Sequence, residues 1–245
     1  MKLKADYHIH SIYSKNKHGK STIEEIVKKA HEIGLEEIAI TDHGTSHFMF
    51  GINKNKISEA KNTVVEVRKK YPNMNILYGV EANILDYNGT TDIGEEILKH
   101  CDIILCGFHL GVWFSTAGDF WNFIIKNMLV KSNEKHYKDM VEKNTNALIN
   151  AMYRYKIDIL THPGDKIPLD IEKIAAVAEE TNTILEINNS HGHLNKDEIQ
   201  KASKYNVKFV INSDAHIKDN IGSYENGLKA AMDAGLNLNR IINLA

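Results

Sequence analysis

Cysteine and proline are scarce in this chain of 245 residues: two of the first, Cys101 and Cys106, and three of the second. The two thiols form no CxxC pair and have no histidine placed to complete a zinc ribbon, which excludes a disulfide scaffold and a thiolate metal site. They are expected to be free and buried, as suits a reducing cytoplasm. No stretch rich in Pro, Gly or Ser separates one part of the chain from another, and no internal repeat or low-complexity tract occurs. Residues 1–245 are therefore expected to form one domain, a length that suits a single α/β barrel and buries about 70–75% of the unfolded surface without covalent staples. No run approaches the ~20 apolar residues of a membrane span, and MKLKADYHIH has no apolar segment of signal-peptide length. A cytoplasmic chain without membrane association is the expectation. A formal net charge of -2 argues against non-specific adhesion to nucleic acid as the main role. It leaves a phosphorylated ligand open, because metal ions can reverse the field inside a pocket.

Short apolar, β-branched runs alternate with amphipathic stretches. Strands are predicted at Leu3–His10, Glu37–Thr41, Asn75–Glu81, Asp102–Phe108, Asp158–Thr161, Thr183–Asn188 and Lys208–Asn212. Helices are predicted at Thr22–Gly34, Lys54–Tyr71, Gly94–His100, Glu134–Tyr153, Asp170–Thr181, Lys196–Tyr205 and Ser223–Ala234, the first with Ser21 or Thr22 as N-cap and Gly34 as C-cap. Such alternation implies parallel strands joined by helical crossovers. The exception is 112–155, about 45 residues between two strands, with Trp113, Phe114, Phe120, Trp121 and Phe123 near its start. It reads as a lid over the barrel mouth or as an extended crossover.

What the chain has in quantity is histidine, 13 residues, the commonest metal ligand. His8 and His10 lie two apart at the end of the first predicted strand, so their imidazoles share a face. Asp214 and His216 repeat that spacing after the last strand. Asp42 and His43 follow the second strand, Glu81 closes the third, His109 follows the fourth and His162 the fifth, while His18 lies in the first strand-to-helix loop. Any one of these could be a capping residue. Together they place histidines and acids at the carboxyl ends of the strands, where parallel barrels bind ligands and do chemistry, and the set points to a multinuclear metal site. Imidazole with a few carboxylates suits zinc, manganese or iron better than calcium. Three divalent ions against Glu81 and Asp214 leave a strongly positive pocket even after a bridging hydroxide is added. That charge suits a dianionic phosphate monoester, attacked by metal-activated hydroxide. His8, His10, Glu81, His109 and Asp214 form the expected catalytic core. No GxSxG, Walker loop or reactive cysteine offers another nucleophile.

DYHIHS at Asp6–Ser11, AITDHG at Ala39–Gly44, YGVEANI at Tyr78–Ile84, GFH at Gly107–His109, THPG at Thr161–Gly164, EINNS at Glu186–Ser190 and SDAH at Ser213–His216 occur in order along the chain. Taken together they resemble the polymerase and histidinol phosphatase (PHP) family, most closely its YcdX-like bacterial phosphatase branch. The resemblance implies a distorted (β/α)7 TIM-like barrel and three divalent ions, zinc first, with manganese or iron as alternatives. It also implies a partition of ligands: His8, His10, Glu81 and Asp214 on one ion, Glu81 bridging to a second completed by His109 and His162, and His18, His43 and His216 on the third. The chain departs from the pattern at the enlarged 112–155 segment. It also lacks an arginine after EINNS that could clamp a phosphate; His193 or Lys196 could substitute, though both read more simply as loop residues. Asn188 and Asn189 either reach the pocket or only bond a turn. His31, His47, His100, His136 and His191 are expected at surface or helix positions.

A small phosphorylated molecule is thus the expected substrate. The alternatives are a histidinol phosphatase, a nuclease or nucleotide phosphatase of the same fold, and a non-catalytic metal-binding regulatory module. A nuclease needs a basic, aromatic-lined groove. The rings of 112–123 could contribute, but Lys126, Lys131 and Lys135 make only a thin basic stripe.

Overall fold

The computed structural model describes residues 1–127 and 134–245. Seven parallel strands run in chain order around one sheet: β1 Ala5–Ile9, β2 Glu37–Ile40, β3 Asn75–Asn83, β4 Ile103–Gly107, β5 Ile159–Leu160, β6 Ile184–Asn188 and β7 Phe209–Asn212. The last strand returns to the first. His10 N donates to Ala215 O and Ala215 N to His8 O, while Tyr7 N donates to Asn212 Oδ1, so the barrel is nearly closed. Between the strands lie α1 Ile23–Glu32, α2 Ile57–Lys70, the one-turn α3 Glu95–Leu98 and α4 Ala117–Phe120, then α5 Glu134–Arg154, α6 Ile171–Thr181, α7 Lys196–Ala202 and α8 Glu225–Asp233.

The strand ends fall within about two residues of those predicted, and the helices follow local signals. Thr22 accepts from Glu25 N while Glu25 reaches back to Thr22 N, a capping box that starts α1; Asn195 and Glu198 do the same for α7. The helix at Glu134–Arg154 is the β4–β5 crossover. It buries Met140, Ala147, Leu148, Ala151 and Met152 in the outer layer, so this half of the long segment is not a lid. Within that segment, Lys131 of the expected basic stripe lies outside the described residues. Among the described residues, no helix is long and apolar enough to cross a membrane.

The core has two parts. The larger lies between sheet and helices. The smaller fills the lower barrel with Ala39, Ile103, Leu105, Ile159 and Val210, joined by Tyr7, Leu77 and Ile184. Strand periodicity then dictates what stands above that plug. Two or four residues beyond an inward apolar residue come Glu81 after Leu77, His109 after Leu105, Thr161 after Ile159, Glu186 after Ile184, and Asn212 then Asp214 after Val210. The first strand needs a correction to join them. Tyr7 belongs to the inner cluster and Ile9 to the outer one, and the register of β1 against β2 shifts between Asp6 and Ile9. That bulge changes the face of the strand and brings His8 and His10 inward above Tyr7.

Candidate metal centre

Glu81 stands at the centre of the barrel mouth, fully buried. Its Oε1 lies 3.0 Å from His109 Nε2, 3.0 Å from His162 Nε2 and 3.3 Å from His8 Nε2; its Oε2 lies 2.8 Å from His43 Nδ1 and 3.6 Å from His10 Nε2. Asp214 Oδ1 is 3.3 Å from His10 Nε2 and 3.5 Å from His8 Nε2. The shared face expected for His8 and His10 is therefore observed, both rings addressing the same carboxylate oxygen. His18 Nε2 faces His43 Nε2 at 3.2 Å and His216 Nε2 at 2.7 Å. All nine residues singled out in the sequence are thus brought into one cluster.

Among the described residues, four overlapping triads have ligand atoms within 4.8 Å of one another: His8–His10–Glu81, His10–Asp214–His216, His10–His18–His43 and His43–Glu81–His109. His10 belongs to three of them and His43 leans toward Glu81, so the rings are shared among the triads more than a strict three-way partition suggests. His8 Nε2, His10 Nδ1, His43 Nδ1, Glu81 Oε2, His109 Nδ1 and Asp214 Oδ1 are buried without a hydrogen-bond partner. An unsatisfied buried polar group costs about 1–3 kcal/mol, a cost that cations would offset at His8 Nε2, His43 Nδ1, Glu81 Oε2 and Asp214 Oδ1, which face one another across the centre. The donor set fits divalent metal.

Protonation behaviour agrees for much of the set. Burial is the main cause holding His10 at about 3, with His43 and His216 adding to it against Asp214; burial likewise holds His18 and His43 at about 3. These three are neutral near pH 7, the form that binds metal. For His8, burial works downward but is outweighed by Asp214, Glu81 and Glu186, which raise it well above the ordinary value; His162 is raised in the same way, chiefly by Glu81. Burial pushes Glu81 and Asp214 up, yet the surrounding histidines hold both well below the carboxylate range.

A further layer orients these side chains. Glu186, fully buried, accepts from His8 Nδ1 at 2.8 Å, His162 N at 2.7 Å, Asn212 Nδ2 at 2.8 Å and Asn188 Nδ2 at 3.0 Å. A carboxylate only accepts, so the proton of a neutral His8 sits on Nδ1 and its Nε2 lone pair faces the centre. His216 Nδ1 donates to Asp214 O at 2.9 Å, which directs Nε2 inward by the same logic. Asp42 accepts from Ser11 N, Ser11 Oγ and Ser14 Oγ and so anchors the loop that carries His18; burial raises its carboxyl to about 6. Asp6 accepts from Ser213 N and Gly222 N beside Asp214. His162 and Asp214 both have positive φ, 27° and 54°, strained for residues with a side chain and held by these bonds.

Sequence reasoning gave Glu186 no role, although a glutamate two residues beyond an inward isoleucine is a signal that was there to be used. One expectation is corrected: His47, expected at a surface or helix position, is buried in a loop. His191 is exposed, as expected, and together with His47 it lines the cavity of about 320 Å³ above the centre. His47 stacks on His43 with ring centroids 4.7 Å apart, and His191 Nε2 lies 3.2 Å from Asp214 Oδ2. His31 and His136 do lie on helices, α1 and α5, and His100 follows α3. His193 pairs with Glu198, and neither it nor Lys196 lines the cavity, whereas Lys166 does. Asn188 bonds Asp214 as well as Glu186, and Asn189 accepts from Asn226 N and Gly227 N.

The PHP domain family model matches residues 6–217. A probable phosphatase of Thermoanaerobacter sp. (strain X514) is 34% identical over 99% of this chain and 91% of its own length. A probable phosphatase of Acetivibrio thermocellus is 31% identical over 99% of this chain and 92% of its own. Among solved structures, the histidinol phosphate phosphatase of Lactococcus lactis, complexed with zinc, L-histidinol and phosphate, superposes with a TM-score of 0.63 at 14% identity, covering 96% of this chain and 94% of that one. At that identity the likeness shows a shared fold. The strand order, the full-length relatives and the matched family model together place this chain in the PHP domain family.

Proposed function

We propose that this chain, a phosphatase of the PHP family, hydrolyses phosphate monoesters of small molecules at a centre of three divalent ions, zinc first, with manganese or iron as alternatives, in the cytoplasm. The observation that carries the reading is the convergence of imidazole nitrogens on the buried Glu81 and Asp214, where His8 Nε2, His43 Nδ1, Glu81 Oε2 and Asp214 Oδ1 are left without a hydrogen-bond partner. In this reading His8, His10, Glu81 and Asp214 hold one ion, Glu81 with His109 and His162 a second, and His18, His43 and His216 the third. Divalent ions held there supply Lewis acidity, lowering the pKa of water and drawing charge from phosphoryl oxygens.

The chain's own residues contribute orientation and charge. Glu186 and Asp214 O fix the tautomers of His8 and His216. Two carboxylates as ligands, Glu81 and Asp214, with Glu186 behind His8, offset less than the charge of three divalent ions, so the pocket favours a dianion over a neutral ester or amide. Lys166 on the cavity wall, with Nζ 2.9 Å from Asp165 Oδ2, is placed to meet phosphate oxygens where an arginine clamp is lacking. No enzyme nucleophile is required, and the cysteines are unsuited to be one: Cys106 is buried and burial pushes its thiol well up.

The test is a panel of phosphate esters, histidinol phosphate among them, assayed with metal-loaded protein and with His109→Ala. Turnover of monoesters, reduced at least about 100-fold in the variant as expected for loss of a ligand, supports the reading. Faster turnover of single-stranded oligonucleotides would replace it with a nuclease. No turnover at full metal occupancy would leave a binding module.

A further inference from the structure

The cavity above the metal centre has a polar floor, but part of its wall is apolar: Met49, Phe50 and Leu110 line it. Phe50 lies ring on ring over His18, centroids 3.9 Å apart and planes within 7°, so the apolar wall begins at the ligand cluster itself. Outward it passes into large exposed side chains: Met49 is 44% exposed, Leu110 39%, Phe48 43% and Trp113 69%. Phe48 and Trp113 pack together with ring centroids 5.3 Å apart.

Two loops build this rim, one following β2 and one following β4, and they are locked to each other. His47 and Val112 form an antiparallel bridge, Phe48 N donates to Gly111 O at 2.9 Å, and Trp113 N to Ser46 O at 2.9 Å. Gly111 allows the close approach, since a Cβ there would lie 2.7 Å from His47 Cε1. The exposed side chains are thus carried on a fixed ribbon. A cluster of large apolar side chains left in water at the mouth of a pocket is an interaction site in waiting. Met49, Phe50 and Leu110 offer the hydroxyls of a sugar no donor and, at most, the weak thioether acceptor of Met49.

Resting on the phosphomonoesterase reading, we propose that the rim formed by Met49, Phe50, Leu110, Phe48 and Trp113 binds the alcohol part of the substrate, and that this part is apolar and flat, an aromatic or comparable ring, and not a polyol. The phosphate lies on the floor and the ring against Phe50, Met49 and Leu110, with Phe48 and Trp113 extending the contact outward. The chief competing feature is a second cavity of about 610 Å³, built by the loop that carries His18 and lined by Lys15, Lys17, Lys20 and Lys56; it would suit a substrate with a second anionic group.

The experiment compares kcat/KM of the metal-loaded protein for 2-phenylethyl phosphate and ethyl phosphate, primary alkyl esters whose leaving groups differ little in basicity, with fructose 1,6-bisphosphate as the polyanionic polyol. A preference of about 30-fold for the phenylethyl ester, expressed mainly in KM, is expected from burying a ring. Met49→Ala, Leu110→Ala and Trp113→Ala should each cut that ratio about three- to tenfold. Tyr153→Ala, which removes an exposed ring on α5 bonded to Glu180, should leave it alone. A ratio near one, or faster turnover of the bisphosphate, would overturn the proposal. If no ester is hydrolysed, the phosphatase reading fails separately. The rim is then judged by calorimetric binding of 2-phenylethylphosphonate against ethylphosphonate, where equal affinities would overturn it and a tenfold preference lost in Trp113→Ala would support it.

Discussion

Replacing Glu186 by glutamine changes one oxygen to an amide nitrogen and leaves the shape of the side chain nearly intact. In the native protein each Glu186 oxygen faces two donors: His8 Nδ1 and Asn212 Nδ2 on Oε1, His162 N and Asn188 Nδ2 on Oε2. A glutamine satisfies one pair and turns two further N–H bonds on the other, with no water able to intervene at a fully buried position. Two mismatched contacts at about 1–2 kcal/mol each give a destabilisation of about 2–4 kcal/mol. The effect on the centre is more specific. If the amide faces His8, the imidazole must accept at Nδ1 and carry its proton on Nε2, the atom that faces Glu81 and Asp214. If it faces His162, the positive-φ backbone at that residue loses its anchor. Loss of such an orienting partner costs about 10–100-fold in metal affinity or activity. Competition with a chromophoric chelator measures the affinity, and urea unfolding of the metal-free protein measures the stability. Metal affinity within twofold of wild type and stability within about 0.5 kcal/mol would refute the assignment of His8 to a tautomer enforced by Glu186.

Two more outcomes follow from the same geometry. His8 and His162 have raised pKa values in the metal-free protein, whereas a ligand imidazole must be neutral; metal binding at pH 7 should therefore release protons, and affinity should climb with pH until those groups lose their protons unaided. Calorimetry in buffers of different ionisation enthalpy reads the count directly, and zero protons at pH 7 would contradict the charge state described here. Gly19→Ala would set a Cβ 2.1 Å from Ser11 O, against backbone that Asp42 holds in place; the His18 loop must shift, and metal content should fall by about one ion per chain while β1 ligands keep theirs. Unchanged metal content would remove His18 from the centre.

Much of this arrangement was legible because a strand's period of two is rigid. Once Ile103 and Leu105 are inward, His109 must be too, and the same counting places Glu81 and Asp214. The pairing of His8 with His10 survives any register, since residues two apart share a face whichever face it is. The bulge that turns them inward beside Tyr7 was not legible, because it arises from the fit of β1 to β2. His47 and His191 escaped for a related reason: each sits in a loop, and loop residues are positioned by contacts such as the His47–Val112 bridge that no local pattern encodes. The helical character of Glu134–Arg154 could be read from spacing, while its place in the outer layer depends on β4 pairing with β5. Glu186 could have been found by the same alternation that found Glu81, since an acid two residues from a buried isoleucine needs partners.

The central claim, that histidines and carboxylates from six strand ends and the first loop hold a cluster of cations, is tested most directly by anomalous diffraction combined with elemental analysis of the purified protein. The account predicts three peaks, each within bonding distance of three or four side chains drawn from His8, His10, His18, His43, Glu81, His109, His162, Asp214 and His216. Fewer than two ions per chain, or peaks elsewhere on the molecule, would contradict it.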